Sequence, residues 1–187
     1  MILEGLVTTT NANGAMHLAP MGPIVDAEFR NLLLRPFPSS QTYRNLADHG
    51  EGVFHITDDA ALIARAALGR LGSTPGHGAA AVIRGFVLAD CCRAYEFRVR
   101  NLDTAGERVR IDAEIVAHHS FREFLGFHRA KHAILEGAIQ LTRLHILPRD
   151  VIEADLRRYR LIVDKTGGPA ELDAMSFLER YFAEAAA

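Results

Sequence analysis

The hydrophobic residues of this chain change their period near His118. Before it they form short β-branched runs or alternate with polar residues, as Val109, Ile111, Ala113 and Ile115 do with Arg110, Asp112 and Glu114. After it they recur at helical spacing: Phe127, Ala130, Ile134, Leu141 and Leu144. A period of two suits a strand with one wet face, and a period near 3.6 suits an amphipathic helix. The change separates a strand-rich region, residues 1–119, from a helical subdomain, residues 120–187. The expected class is α+β, with a mainly antiparallel, barrel-like sheet followed by helices.

Turn residues punctuate the first region. Residues 2–9 read as a strand, Asn11 to Gly14 as a hairpin turn, and residues 15–18 as the returning strand. Ala19-Pro20-Met21-Gly22-Pro23 is expected to break that pairing, because proline cannot donate to a ladder. Residues 28–35 form a third strand that Pro36 ends. Ser39 or Ser40 caps a short helix stopped by Gly50, and residues 52–57 return to strand. Asp58 or Asp59 starts an alanine-rich helix that runs to Arg70, and residues 69–78 read as a mobile loop able to cover a ligand. Strands are expected over 80–88 and 94–100, separately or as one bent strand, with a turn at 101–107 and a strand at 108–117. Helices are expected from Phe121 through Leu147, over 150–164 and over 169–186.

Composition removes several function classes. The chain has 187 residues and a formal net charge of −2, with no long basic run, which argues against nucleic acid as a partner. No stretch has the apolar length of a membrane span, and Met1 to Thr10 lacks the pattern of a secretory leader. The two cysteines, Cys91 and Cys92, are adjacent, which disfavours a disulfide between them. Free thiols fit a reducing compartment, so a cytoplasmic location is expected.

The segment with the most chemistry is residues 33–57, LLRPFPSSQTYRNLADHGEGVFHIT. A strand delivers Arg35 to a rigid Pro-x-Pro bend, after which two serines and Thr42 open a helix. Unpaired N–H groups and the positive end of the macrodipole make a helix start suited to phosphate. Thr42 and Asn45 are three apart, so they share one helix face. Arg35 or Arg44 can supply a planar charged fork. The same residues also fit a plain capped surface helix, and local chemistry alone divides evenly between the two readings.

These residues resemble the FMN-binding split-barrel proteins of the flavin reductase-like group. The resemblance rests on Ala19-Pro20-Met21-Gly22 for a turn, Ser40-Gln41-Thr42-Tyr43-Arg44-Asn45-Leu46 for the helix and Val53-Phe54-His55-Ile56 for the next strand. More closely, the whole chain resembles an archaeal and bacterial branch of that group, a domain of unknown function, in which APMGPI, LRPF, TYRNL, GEGVFHITDD and GF-x-RAKHAILE recur together. It implies a split β-barrel with FMN as cofactor and a homodimer with flavin near the subunit interface. By that resemblance Thr42 and Asn45 bind the phosphate, with Ser40 and Arg35 close by, and Met21 and Gly22 pass near the ring or ribityl chain. The wider group often has Asn where this chain has His55, so His55 is read as a core or supporting residue. The implied activity is an FMN-dependent oxidoreductase with an unassigned substrate and electron donor. A flavin carrier without turnover and a pterin-linked one-carbon role are the alternatives.

Other residues carry less. Arg129, His132, Glu136, Gln140 and Arg143 form a polar stripe on one helix face, read first as a solvated face and second, with Lys131, as reaching the flavin edge. His118 and His119 are neighbours on a strand and face opposite ways, which argues against zinc. No metal site and no nucleophile–base pair is expected, and no catalytic residue can be named.

Overall fold

The computed structural model describes residues 1–106 and 108–185. By contacts they divide into two compact units: residues 1–57 with 74–124, and residues 58–73 with 125 onward. The second crossing lies between Phe124 and Leu125, and the boundary expected from sequence between 119 and 120. The helix after Asp58, however, packs with the C-terminal helices rather than with the sheet.

The first unit is a seven-stranded antiparallel sheet. In chain order its strands are β1 (Gly5–Thr10), β2 (Met16–Met21), β3 (Ile24–Val25), β4 (Asn31–Leu34), β5 (Glu51–Ile56), β8 (Arg93–Asp103) and β9 (Arg110–Ser120), arranged β2-β1-β5-β8-β9-β4-β3. Residues 1–3, just before β1, bond to the far edge of the sheet. Leu3 N donates to Pro23 O at 3.2 Å and Val25 N to Met1 O at 2.8 Å, so the sheet curls back on itself. Helix α1 (Gln41–His49) and a short hairpin, β6 (His77–Ala79) with β7 (Phe86–Leu88), complete the unit. Alternation assigns the faces. Val7, Phe54, Tyr95 and Phe97 point into a core shared with Leu32, Leu34, Ile111 and Leu46 of α1. Two glycines permit the close approach of β1, β5 and β8. A Cβ on Gly5 would lie 2.4 Å from His55 O, and one on Gly52 would lie 2.6 Å from Phe97 Cζ.

The second unit holds α2 (Ala60–Ala67), α3 (Arg129–Leu141), α4 (Arg149–Thr166) and α5 (Pro169–Glu184). Ala64, Ile134, Ile152, Val163, Met175 and Leu178 form its core. Asp59 caps α2, accepting from Leu62 N at 2.9 Å, and Pro169 occupies the first turn of α5.

Several elements depart from expectation. The 19–23 segment does not break the hairpin: β2 stays paired through Pro20 and Met21, which lie opposite Leu6 and Gly5. β2 is an edge strand, where a missing donor costs little. The third strand starts late, at Asn31, because Asp26 accepts from Arg30 N and Asn31 Nδ2 and closes a turn before it, with Phe29 at φ 56°. Residues 80–85 are a turn, not strand, and 77–79 of the expected loop are strand. β8 runs to Asp103, through the start of the expected turn. Residues 121–127 are exposed and non-helical, and α3 begins only where His128 accepts from Lys131 N. It ends at Leu141, short of Leu147. Glu107 and Ala186, the ends of two expected elements, lie outside the described residues.

Candidate functional site

The site is assembled where α1 lies on the β1–β2 hairpin. Thr9 of β1 stands directly opposite His17 of β2, so both side chains share a face. Asn11, two residues beyond Thr9, follows on that side. α1 covers this face. It is a good local helix: Ser40 is extended and its hydroxyl accepts from Tyr43 N at 3.2 Å, while Gly50 at φ 66° ends it by donating to Leu46 O at 3.0 Å.

Thr42 and Asn45 project from α1 towards the hairpin and are each only 2% exposed. Thr42 Oγ1 is 3.3 Å from His17 Nε2. Asn45 Nδ2 donates to Thr9 Oγ1 at 2.9 Å and to Asn11 Oδ1 at 3.0 Å, and its carbonyl accepts from Gln41 Nε2 at 2.7 Å. The Asn45 amide is thus fully engaged and fastens α1 to β1. Arg44 donates to Gln41 Oε1 and to Ser39 O, bracing the entry to the helix. Burial, then the Arg44 guanidinium, hold the His17 pKa below its ordinary value of 6.5.

The donors at this helix start are not all used. Ser40 satisfies Tyr43 N, whereas Gln41 and Thr42, at the first two helical positions, have no intrahelical acceptor for their N–H groups. The first turn contains no acidic residue. Arg35 is half-buried and makes no hydrogen bond or ion pair among the described residues.

Of the residues singled out by sequence, Ser40, Thr42 and Asn45 come together here, and Arg35 leads into them. Met21 and Gly22 stand elsewhere. Met21 pairs with Gly5, four residues along β2 from His17, or about 13 Å away. Gly22 packs so closely on Ile2 and Glu4 that a Cβ would lie 2.8 Å from Ile2 Cγ2. The sequence reading missed His17, Thr9, Asn11 and Gln41. The available signal was Thr9 itself: a polar residue in register with Gly5 and Val7, in a strand that buries both its faces.

The opposite face of the sheet carries a second polar group. Thr8, His55 and Glu96 are each 0% exposed, and all three bond to the backbone of residues 81–88. Glu96 accepts from Ala81, Val82 and Ile83 N at 2.8, 2.8 and 3.0 Å, and from His119 Nε2 at 2.7 Å. Burial alone would raise its pKa, but these donors outweigh it and hold the carboxyl below its usual range. A β-bulge beside Glu96 marks this place in the β8–β9 ladder. His55 Nε2 accepts from Leu88 N at 3.1 Å, so its proton sits on Nδ1, facing Leu6 O at 3.3 Å. His55 is therefore a buried supporting residue, its pKa lowered to about 4 chiefly by burial.

In the helical unit the polar stripe is divided. Lys131 lies 3.7 Å from Asp58 and 3.9 Å from Glu171, and Gln140 donates to Asp155 at 2.7 Å. His132 is exposed, edge-on to Phe127. Cys91 and Cys92 are buried and outside any disulfide, and burial pushes Cys91 up to about 11, so it is not a nucleophile at neutral pH. Among the described residues no group of three His, Cys, Asp or Glu is placed to hold a metal, and no helix is long and apolar enough to cross a membrane.

The N-terminal domain model of a protein family of unknown function, DUF447, matches residues 3–122, and the model of its C-terminal part matches residues 128–180. The chain belongs to the DUF447 family. No curated protein matches it. Among solved structures, this DUF447 chain is similar to the FMN-bound DUF447 protein MM1853 from Methanosarcina mazei: TM-score 0.79, 21% identity, 96% of this chain and 94% of that one. It is similar over 63% of its length to the 2-nitrobenzoate 2-nitroreductase NbaA of Pseudomonas fluorescens, covering 64% of that chain at TM-score 0.54 and 18% identity. An FMN-binding protein from Thermus thermophilus, with bound 1-cyclohex-2-enone, matches 63% of this chain and 70% of its own at TM-score 0.52 and 14% identity. The likeness is one of fold: an α+β split barrel with a helical C-terminal region.

Proposed function

We propose that this chain binds FMN, with the phosphate at the start of α1, and that it is an oxidoreductase of flavin reductase-like type. The observation that carries the reading is the set of unused donors there. The Gln41 and Thr42 N–H groups and an Arg35 without a partner among the described residues converge in sequence on a helix start without an acidic residue, beside the buried Thr42 hydroxyl that His17 shares. An Asp or Glu in the first turn would meet the dipole and compete with an anion. This helix leaves the positive end open, as a site for an anion requires. The donor set therefore fits a phosphate monoester.

The residues divide the work. Thr42 and the two N–H groups would hold phosphate oxygens, and Arg35 would balance their charge. Asn45 has no amide hydrogen to spare, so its part is to fasten α1 against Thr9 and Asn11 and keep those donors aimed. Met21 and Gly22, about 13 Å along the same hairpin, stand where the ring end of the ligand would pass. FMN, when bound, supplies the redox chemistry, and the protein contributes position and electrostatics. The working unit would be a homodimer, with the half-exposed Phe121 and Phe124 as apolar surface for a second copy to cover.

The test is a titration of the purified protein with FMN, followed by quenching of flavin fluorescence. Saturable binding at micromolar flavin is expected, and none at that concentration would sink the reading. Anaerobic mixing of the complex with NADH, NADPH or a reduced deazaflavin then examines turnover. Bleaching of the flavin by one donor supports a reductase, and a flavin that stays oxidised with all of them leaves a carrier. Light scattering of the complex checks the dimer.

A further inference from the structure

We propose that His17 is a specificity-determining residue of this site, orienting the Thr42 hydroxyl so that the site selects a phosphorylated flavin over the same flavin without its phosphate; this rests on the FMN reading above. The geometry is a pair of side chains held in place by secondary structure. His17 is fixed on β2 opposite Thr9, Thr42 is fixed on α1, and their polar atoms are 3.3 Å apart. Thr42 is 2% exposed, so water does not offer its hydroxyl an easy alternative partner.

Two arrangements of that contact are available. If Nε2 is bare, Thr42 spends its hydrogen on the imidazole and turns only lone pairs towards an incoming phosphate. If Nε2 carries hydrogen, it donates to Thr42 Oγ1, and the Thr42 hydrogen is free for a phosphate oxygen. An imidazolium enforces the second arrangement and adds a positive charge. The charged group acting on His17 from α1 is Arg44, while β1 faces it with the uncharged Thr9. Burial and Arg44 keep the ring neutral at neutral pH in the free protein. A phosphate dianion beyond Thr42 would oppose both effects, so binding draws a proton onto His17. Selection for the phosphate then weakens as pH rises through the range between the free and bound pKa values.

The experiment measures the affinities of FMN and riboflavin for the full chain from about pH 5.5 to 8.5, a range spanning histidine titration. The ratio of the two isolates the phosphate. Because ionisation of the phosphate acts on every variant alike, the wild-type ratio divided by that of a variant that cannot ionise should fall with rising pH, by up to about tenfold for each unit by which the phosphate raises the His17 pKa. His17→Gln and His17→Asn, which keep a donor but cannot ionise, are those variants. They should show a level or rising ratio, because the second ionisation of the phosphate, near pH 6, favours binding as pH increases. A wild-type ratio that matches both variants throughout, or rises with pH more steeply than theirs, overturns the proposal and leaves FMN binding standing. Equal affinity of the wild-type protein for FMN and riboflavin does the same. A protein that binds neither flavin overturns both readings. If the variants do not fold, the ring nitrogen resonances of His17 at neutral pH decide: an imidazolium in the FMN complex and a neutral ring with riboflavin support the proposal, and a neutral ring in both overturns it.

Discussion

Asn45 in α1 donates its side-chain amide to Thr9 of β1 across 2.9 Å, inside a contact from which solvent is excluded. That one bond, with its companion to Asn11, sets the height of the helix above the hairpin and so the aim of every donor at the helix start. Asn45→Ala should destabilise the protein by about 1–3 kcal/mol, the usual cost of stranding buried partners. Asn45→Asp should cost as much and weaken FMN further, since it brings a negative charge near the phosphate. Urea melts and a flavin titration check both.

Thr42 separates binding from stability. Thr42→Val keeps the shape and removes the hydroxyl, so FMN affinity should drop about 10- to 100-fold, the worth of a hydrogen bond to a charged group. Riboflavin affinity should hardly change, and Thr42→Ser should retain most of the FMN affinity. Equal losses for FMN and riboflavin in Thr42→Val would place the phosphate elsewhere.

Glu96 holds the 81–83 backbone in place through three N–H bonds. Glu96→Ala leaves those donors and His119 without their acceptor, and a loss of about 3–5 kcal/mol is expected. Amide exchange at Ala81, Val82 and Ile83 should rise far more than at Val53 or Phe54. In the wild-type protein the folded pKa of Glu96 is depressed, so its contribution is complete above the unfolded value of 4.5 and is lost as pH falls through the folded one.

His55 titrates in a different window. Its folded pKa of about 4 lies below the ordinary 6.5, so between those values the unfolded chain takes up a proton that the folded protein refuses. Stability from this group is complete above pH 6.5 and declines by about 3 kcal/mol as pH falls to 4. Denaturant midpoints measured at intervals across that range should show the slope, and His55→Gln should flatten it.

Gly5 allows no side chain. A Cβ there would lie 2.4 Å from the His55 carbonyl, a backbone atom that cannot step aside without breaking the β1–β5 ladder. Gly5→Ala should cost at least about 3 kcal/mol, at the upper end for overpacking. Gly14→Ala, in open space at φ 82°, should show only the milder strain of a left-handed residue. Thermal melts of the pair discriminate close packing from backbone conformation.

Much of the architecture follows from local chemistry. The alternation at Val109 to Ile115 produced β9, the Ser40 cap and Gly50 stop bounded α1, and Asp59 started α2, because periodicity, caps and positive-φ glycines act over a few residues. The errors have a non-local cause. Ala80 to Leu88 has the apolar content of a strand, but Glu96, distant in sequence, captures the 81–83 N–H groups and forces a turn. Pro20 looks like a breaker until the sheet places it on an edge.

The sequence by itself determined that Thr42 and Asn45 share a helix face, that the helix start is rich in donors, and, through resemblance along most of the chain, that a split barrel carries them. Only the tertiary structure decided what those residues face. Asn45 proved to be committed to Thr9 and Asn11, and Thr42 to be paired with His17, because the β1–β2 register sets His17 against Thr9 beneath α1. A one-residue slip of that register would turn His17 to the other side of the sheet, and nothing within residues 39–46 records which register the hairpin takes.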